Sequence, residues 1–258
     1  MTTALITGAS NGIGLELARI HASKGGNLVL VARNKGRLDE LKKGLERQYK
    51  TKVYTIGKDL SLPNAAQEVY DETNQQNIQI DYLINNAGFG DYGMFVDADW
   101  NKQLQMINLN ITTLTHFTKL YLEPMVKRGS GKIMNVASTA AFQSGPTMAV
   151  YFATKAYVLS FSEAIDNEVS DKGVTVTTLC PGPTESGFQA AAAMEESALV
   201  KGKKLPTSKA VAEYGYEAML KGKTVAIHGF MNWIMANAVR FTPRAVVVKM
   251  TRMVQAKA

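Results

Sequence analysis

Ser138, Tyr151 and Lys155 share the stretch S-T-A-A-F-Q-S-G-P-T-M-A-V-Y-F-A-T-K and bring together a hydroxyl, a phenol and an ammonium. A helix from Val150 onward would put Tyr151 and Lys155 on one face, one turn apart. An ammonium beside a phenol favours the ionised form, so this spacing predicts a Tyr151 pKa lowered from about 10 toward that of a working proton donor or acceptor. That is acid/base chemistry. A Tyr-x-x-x-Lys pair taken alone more often marks a half-buried aromatic and a solvated lysine, so the elements around it have to decide.

The first of those elements opens the chain. Thr3–Thr7 is a short apolar run, followed by G-A-S-N-G-I-G and an amphipathic stretch over residues 15–24, which reads as strand, glycine-rich turn and helix. Gly8 permits a tight exit from the strand, Gly12 leaves room for a pyrophosphate, and Gly14 lets helix and sheet approach. Ser10, Asn11 and Ile13 complete a loop facing the phosphates, where the amides of a helix N-terminus attract anions. The next apolar run, Asn27–Ala32, is continuous, as in a parallel strand buried on both faces, and ends in Arg33. Dinucleotide-binding folds commonly carry an acidic residue here for the ribose hydroxyls of NAD. Arg33, with Asn34, Lys35 and Arg37 close by, would instead pair with a 2′-phosphate, so NADP(H) is the expected cofactor and NAD(H) the second choice.

The alternation continues with a helix over Lys35–Tyr49, a strand over 52–56, a helix over 63–76 and a strand over 81–85. Repeated βα units predict a doubly wound α/β fold, a mostly parallel seven-stranded sheet between two layers of helices. At the end of the third strand Asp59, followed by Leu60, is placed either beside an adenine amino group or in an Asx turn. The fourth strand runs into N-N-A-G, where Asn86, Ala87 and Gly88 would floor a nucleotide site beyond the carboxyl ends of the strands. A single long helix is expected over residues 98–126. Asn110 inside it needs partners for its amide, so it is either capping an irregularity or working. A fifth strand over 132–137 delivers Ser138, a helix over 150–170 carries Tyr151 and Lys155, and a sixth strand, Val174–Cys180, ends in the turn Pro181, Gly182, Pro183, Thr184 at the same edge.

The 258 residues, with no linker, repeat or low-complexity tract, are read as one domain. A single Cys180 excludes an intramolecular disulfide, and without a secretory signal or a membrane-length apolar run a cytoplasmic protein is expected. The formal charge of +7 is not spread over the chain. Glu217 is the last acidic residue, and the whole excess lies in Lys221, Lys223, Arg240, Arg244, Lys249, Arg252 and Lys257, which argues against a nucleic-acid partner. His21, His116 and His228 are scattered without metal-ligand spacing, and no metal is expected.

With these residues in order, the sequence resembles the short-chain dehydrogenase/reductase family, in its single-domain branch of ketoacyl and carbonyl reductases. T-G-A-S-N-G-I-G, N-N-A-G, Asn110, Ser138, Y-F-A-T-K and P-G-P-T stand in register over nearly the whole chain. The resemblance implies a Rossmann fold in which Tyr151 is the general acid for carbonyl reduction and Ser138 holds the substrate oxygen. It implies that Lys155 binds the nicotinamide ribose and tunes Tyr151, and that Asn110, with Asn108 as the fallback, positions a water in the proton relay. Asn86 would support the cofactor, Ile13 would contact the pyrophosphate through its backbone and Thr184 would hold the carboxamide. Ser186 stands where many members have a second threonine. Homodimers or homotetramers, small carbonyl or alcohol substrates and NADP(H) go with the family. The alternatives are an alcohol-oxidising relative and, from another class, a dinucleotide-binding regulator without chemistry, which would have no use for Tyr151 and Lys155.

Residues 186–205, alanine-rich and then polar, are expected to form a lid, with Phe142, Met148, Phe188 and Met194 as candidate apolar lining. The tail over about 229–258 predicts a last helix after Pro243 with an apolar stripe of Val246, Val247, Met250, Met253 and Val254. Such a stripe with basic flanks docks either on its own body or a second subunit, the preferred expectation, or on an acidic membrane surface.

Overall fold

A computed structural model describes residues 1–188, 192, 202 and 204–255. Strands β1 (Thr3–Thr7), β2 (Asn27–Ala32), β3 (Val53–Gly57), β4 (Tyr82–Asn85), β5 (Gly131–Val136), β6 (Val174–Cys180) and β7 (Val225–Ile227) form one sheet in the order β3-β2-β1-β4-β5-β6-β7. Every pairing among them is parallel, so the sheet is wholly rather than mostly parallel. Because strand side chains alternate, the apolar runs feed two cores at once. Ile6, Leu28 and Leu30 face α1 (Gly12–Ser23) and α2 (Lys35–Tyr49), while Leu5, Val29 and Val31 face the layer of α3 (Ala65–Gln75). The chain winds outward from β1 in one direction and from β4 in the other, leaving a crevice between the carboxyl ends of these neighbours, where open α/β sheets bind ligands.

The expected long helix is broken. It comprises α4 (Trp100–Ile107), a wide π turn over Asn108–Thr113 and α5 (Leu114–Lys127). Asn110 is the reason in part: its buried amide makes its partners outside the helix, donating to the Phe89 carbonyl (3.0 Å) and Thr154 Oγ1 (3.1 Å). A π turn accommodates the misfit in the helical ladder and commonly occurs near working sites. Then come α6 (Ala149–Val169), α7 (Ser208–Leu220), α8 (Phe230–Ala238) and α9 (Arg244–Gln255). The Pro243 carbonyl accepts from the amides of Val246 and Val247, starting α9 as expected.

Candidate active site

One cavity of about 1270 Å³ runs along the carboxyl ends of the strands, from Arg33 and Arg37 to Ser138, Tyr151 and Lys155. The expected catalytic and cofactor-binding residues line it, except Gly14 and Asn110. Gly8 and Gly12 adopt φ of +66° and +55°, backbone that favours glycine. A Cβ on Gly12 would meet nothing nearer than Ser186 Cβ at 3.4 Å, so the cradle has room for a ligand beside the backbone. Asn11 makes no side-chain cap to α1, whose first residues line the cavity. Asn86 ties β4 to β1: its side-chain amide donates to the carbonyls of Thr7 (2.9 Å) and Gly8 (3.3 Å).

At the far end of the crevice, Arg33 and Arg37 have no acidic partner among the described residues, although Lys35 pairs with Asp39 and Lys58 with Glu68. The two lysines are engaged locally; the two guanidiniums are available to an anion. Asp59 resolves the earlier alternative toward the turn: it accepts from Ser61 N (3.0 Å) and Oγ (2.7 Å) while still lining the cavity.

Tyr151 and Lys155 do share a face of α6, with Lys155 Nζ 5.8 Å from the centre of the phenol ring. The expected lowering of the Tyr151 pKa is overturned. Burial pushes it up to about 12, and a hydrogen bond with Ser138 only partly opposes this. Burial also holds Lys155 down, to about 8, so the ammonium next to the phenol is itself a disfavoured charge. Lys155 Nζ donates to the Val136 carbonyl at 2.8 Å, which fixes it at the end of β5. Ser138 caps the following turn, its Oγ accepting from Ala140 N at 3.1 Å. Asn110 Oδ1 and Lys155 Nζ lie 3.0 and 3.4 Å from the position of a Cβ on Gly88, so asparagine and lysine meet at one point of the N-N-A-G floor. Asn108, the fallback, is not among the cavity residues.

A stability test follows from the buried ammonium. Lys155→Met keeps the volume and drops the charge, at the loss of one bond to Val136, and is expected to raise Tm at pH 7 by about 2–6 °C while removing activity. The wild-type lysine has its folded pKa depressed from 10.5 to about 8. Between those values the unfolded chain holds a proton that the folded protein releases, so wild-type stability rises with pH through this window. The advantage of the variant should therefore shrink from pH 8 to pH 10 in calorimetry; a gap independent of pH would contradict it.

The model of the family described as short chain dehydrogenase matches residues 2–197. The chain belongs to the short-chain dehydrogenase family. It is 35% identical over 185 residues to very-long-chain 3-oxoacyl-CoA reductase-B of Danio rerio, covering 69% of this chain and 58% of that protein. It is 35% identical over 183 residues to 11-beta-hydroxysteroid dehydrogenase 1A of Arabidopsis thaliana, covering 70% of this chain and 52% of that one. The chain thus spans little more than half the length of these curated relatives. Among solved structures, a short-chain dehydrogenase from Sphingobium yanoikuyae in complex with NADPH superposes with a TM-score of 0.83 at 30% identity, over 93% of this chain and 94% of that one. The bulky-bulky ketone specific alcohol dehydrogenase from Comamonas testosteroni follows with 0.80 at 30% identity, over 93% and 92%. Family members bind NAD(P)(H), and the open glycine cradle and unpaired arginines of this short-chain dehydrogenase fit such a group.

Gly14, though outside the cavity, is the tightest of the turn glycines. A Cβ there would stand 2.4 Å from the Gly8 carbonyl oxygen and 2.5 Å from Asn86 Nδ2. Gly14→Ala is expected to destabilise this dehydrogenase by about 1–3 kcal/mol through overpacking and to displace the turn. A lowered Tm together with weaker NADPH binding would confirm it; an unchanged Tm would refute it.

Met148 and Phe188 line the cavity as expected, Phe188 with its ring centre 5.3 Å from that of Tyr151. Phe142 does not: it packs with Leu114, Val158 and Cys180 in the core. Met194 and most of the lid lie outside the described residues. What the sequence left unseen is the far wall. Met235, Val239, Met250, Val254 and Gln255 of the tail all line the cavity. The Gln255 carbonyl accepts from Tyr92 OH at 2.7 Å, and Thr147 Oγ1 donates to its Oε1 at 3.2 Å. No spacing signal marks these contacts, which join positions far apart in the chain.

Proposed function

We propose that the protein is an NADPH-dependent reductase of a bulky, largely apolar ketone, a 3-oxoacyl or comparable compound. The observation that carries this is the continuity of one cavity from Arg33 and Arg37, which have no acidic partner among the described residues, to half-buried Ser138 and the buried pair Tyr151 and Lys155. Arg33 and Arg37 would take the 2′-phosphate, Gly8, Ser10, Asn11, Gly12 and Ile13 the pyrophosphate, and Asn86, Ala87 and Gly88 would floor the nucleotide. Pro181, Gly182 and Thr184 lie beside the acid/base cluster, where the nicotinamide end belongs. When bound, the cofactor supplies the hydride delivered to the carbonyl carbon.

The chain's own groups supply the rest. Ser138 fixes the substrate oxygen, and Tyr151 gives that oxygen its proton. Burial keeps the phenol protonated throughout the neutral range, the form needed to donate to the substrate oxygen. Lys155 and Asn110, both beside Gly88, would flank the route along which the phenol regains its proton. Phe152, Phe188, Met235 and Val254 offer apolar walls to the substituents of the ketone. The names of a 3-oxoacyl-CoA reductase and of a ketone-specific alcohol dehydrogenase among the similar proteins agree with this. A panel of small ketones, bulky aryl ketones and 3-oxoacyl thioesters, followed by loss of nicotinamide absorbance with NADPH and NADH, tests it. Faster turnover of the bulky members with NADPH is expected; no oxidation of NADPH with any of them would reject the reading.

A further inference from the structure

The tail packs on the body, yet of its expected apolar stripe only Val247 is buried. The face of α9 that is buried carries Val247, Thr251 and Gln255. Val246, Met250, Met253 and Val254 fall on the adjoining face of the helix and stay exposed, Met253 by 67%. Lys249 and Arg252 flank that face. The preceding α8, F-M-N-W-I-M-A-N-A, has no charged residue and buries only Ala236. Phe230, Met231, Trp233, Ile234 and Met235 stand in solvent, the rings of Phe230 and Trp233 stacked on each other with centres 6.4 Å apart. Between the helices Phe241 is 89% exposed. Soluble monomers seldom expose this many large apolar side chains on two successive helices without an occupant.

The charge around it selects the occupant. Arg240, between the helices, and Arg244, Lys249 and Arg252 of α9 are all exposed, and no acidic residue follows Glu217 in the sequence. Across a twofold axis with a second copy these bases would face their like, with no carboxylate from the tail to answer them. Two helices that are apolar, aromatic in part and basic in every charge they carry match an anionic lipid bilayer, with Asp99 an acidic residue of the cavity wall opposite them. No helix among the described residues is long and apolar enough to cross a membrane, so the contact is one of lying on it. We propose that α8 and α9 form an interfacial surface that docks the protein on an anionic bilayer with the mouth of the cavity toward the lipid. Met235, Val239, Met250 and Val254 belong both to this surface element and to the cavity wall. If the reductase reading above holds, on which this last step rests, a ketone dissolved in the bilayer reaches Tyr151 without crossing water.

The full chain carrying Trp100→Phe leaves Trp233 as the sole tryptophan. Mixed with phosphatidylcholine vesicles containing phosphatidylserine, it is expected to pellet, with Trp233 emission shifted to the blue and quenched by brominated acyl chains. Vesicles of phosphatidylcholine alone should bind it far more weakly. A triple variant, Arg240→Gln, Lys249→Gln and Arg252→Gln, should lose about fivefold in partitioning for each base removed. Phe230→Ser with Trp233→Ser and Met253→Ser should abolish pelleting. Both variants should reduce a water-soluble ketone at the wild-type rate, and both should lose the advantage on an apolar ketone carried in the vesicles. Unchanged Trp233 emission with the protein left in the supernatant overturns the proposal. So does a dimer in light scattering that shields Trp233 from iodide and ignores vesicles, which would make a second copy the occupant. Failure of the reductase reading is separate: pelleting would persist with no NADPH oxidised.

Discussion

Tyr151→Phe is expected to lower kcat for ketone reduction about 10³-fold while leaving the dissociation constant for NADPH within a factor of about three. The substitution removes one oxygen and nothing else from the packing. The ring remains held between Phe152 and Phe188 and beneath Lys155 Nζ, all of which contact the face or edge of the aromatic system rather than the hydroxyl. The dinucleotide cradle and Arg33 are contributed by other elements, so cofactor binding has no reason to change. What is lost is a phenol with a hydrogen bond to Ser138 and a position at the cavity wall beside it. If the proposed acid, oxygen holder and lysine act on one proton, their losses should not add: Tyr151→Phe combined with Lys155→Met should cost about as much as either alone. Single-turnover kinetics and fluorescence titration of NADPH separate the two quantities. Activity retained within tenfold would end the assignment of Tyr151 as the acid.

That expectation also shows where sequence reasoning reached its limit. The spacing of Tyr151 and Lys155 placed both on one helix face correctly, because neighbourhood along a helix is local geometry. It failed on the pKa of the phenol, because the deciding influence is burial, to which Phe89, Met106, Ala140 and Phe188 contribute from distant parts of the chain. The strands were legible for a related reason. A run such as Asn27–Ala32 is apolar at every position because both of its faces are covered, so the pattern records the architecture directly. The glycine turn, Arg33, the N-N-A-G floor and Ser138 were legible as strand-end residues once the strands were known. The tail was not. Periodicity identified the stripe of α9, but the buried face contains Thr251 and Gln255, whose polar side chains mark no core in a sequence. Gln255 became part of the site through Tyr92 and Thr147, long-range partners that no local pattern encodes. The π turn at Asn110 is intermediate: the sequence showed an amide in need of partners, and only the approach of Phe89 and Thr154 decided that the helix would widen to meet them.

Arg33→Asp is expected to reverse the cofactor preference, lowering kcat/KM with NADPH relative to NADH by about 10²-fold or more. Arg33 is exposed at the end of β2, lines the cavity and has no carboxylate to give up, so its charge is free for a 2′-phosphate that carries close to two negative charges. The aspartate removes a charge-assisted hydrogen bond, adds a repulsion, and offers an acceptor to a free ribose hydroxyl; all three changes point the same way. Arg37→Ala should shift the ratio in the same direction by a smaller amount, since Arg33 would remain. Lys35 is a poor substitute for either, being held by Asp39 and by Thr55 Oγ1 at 3.2 Å. Exposure has two further consequences. Neither arginine substitution should disturb stability by more than about 0.5 kcal/mol, so a changed ratio cannot be attributed to unfolding. And because the pair is open to solvent, the NADPH preference proposed for the wild type should weaken as ionic strength rises, whereas the NADH preference expected of Arg33→Asp should weaken with it only to the extent that repulsion of NADPH is screened. Steady-state kinetics with both cofactors at two salt concentrations resolves this. A ratio unchanged by Arg33→Asp would mean that the anion site lies elsewhere and that the arginine at this strand end is surface charge alone.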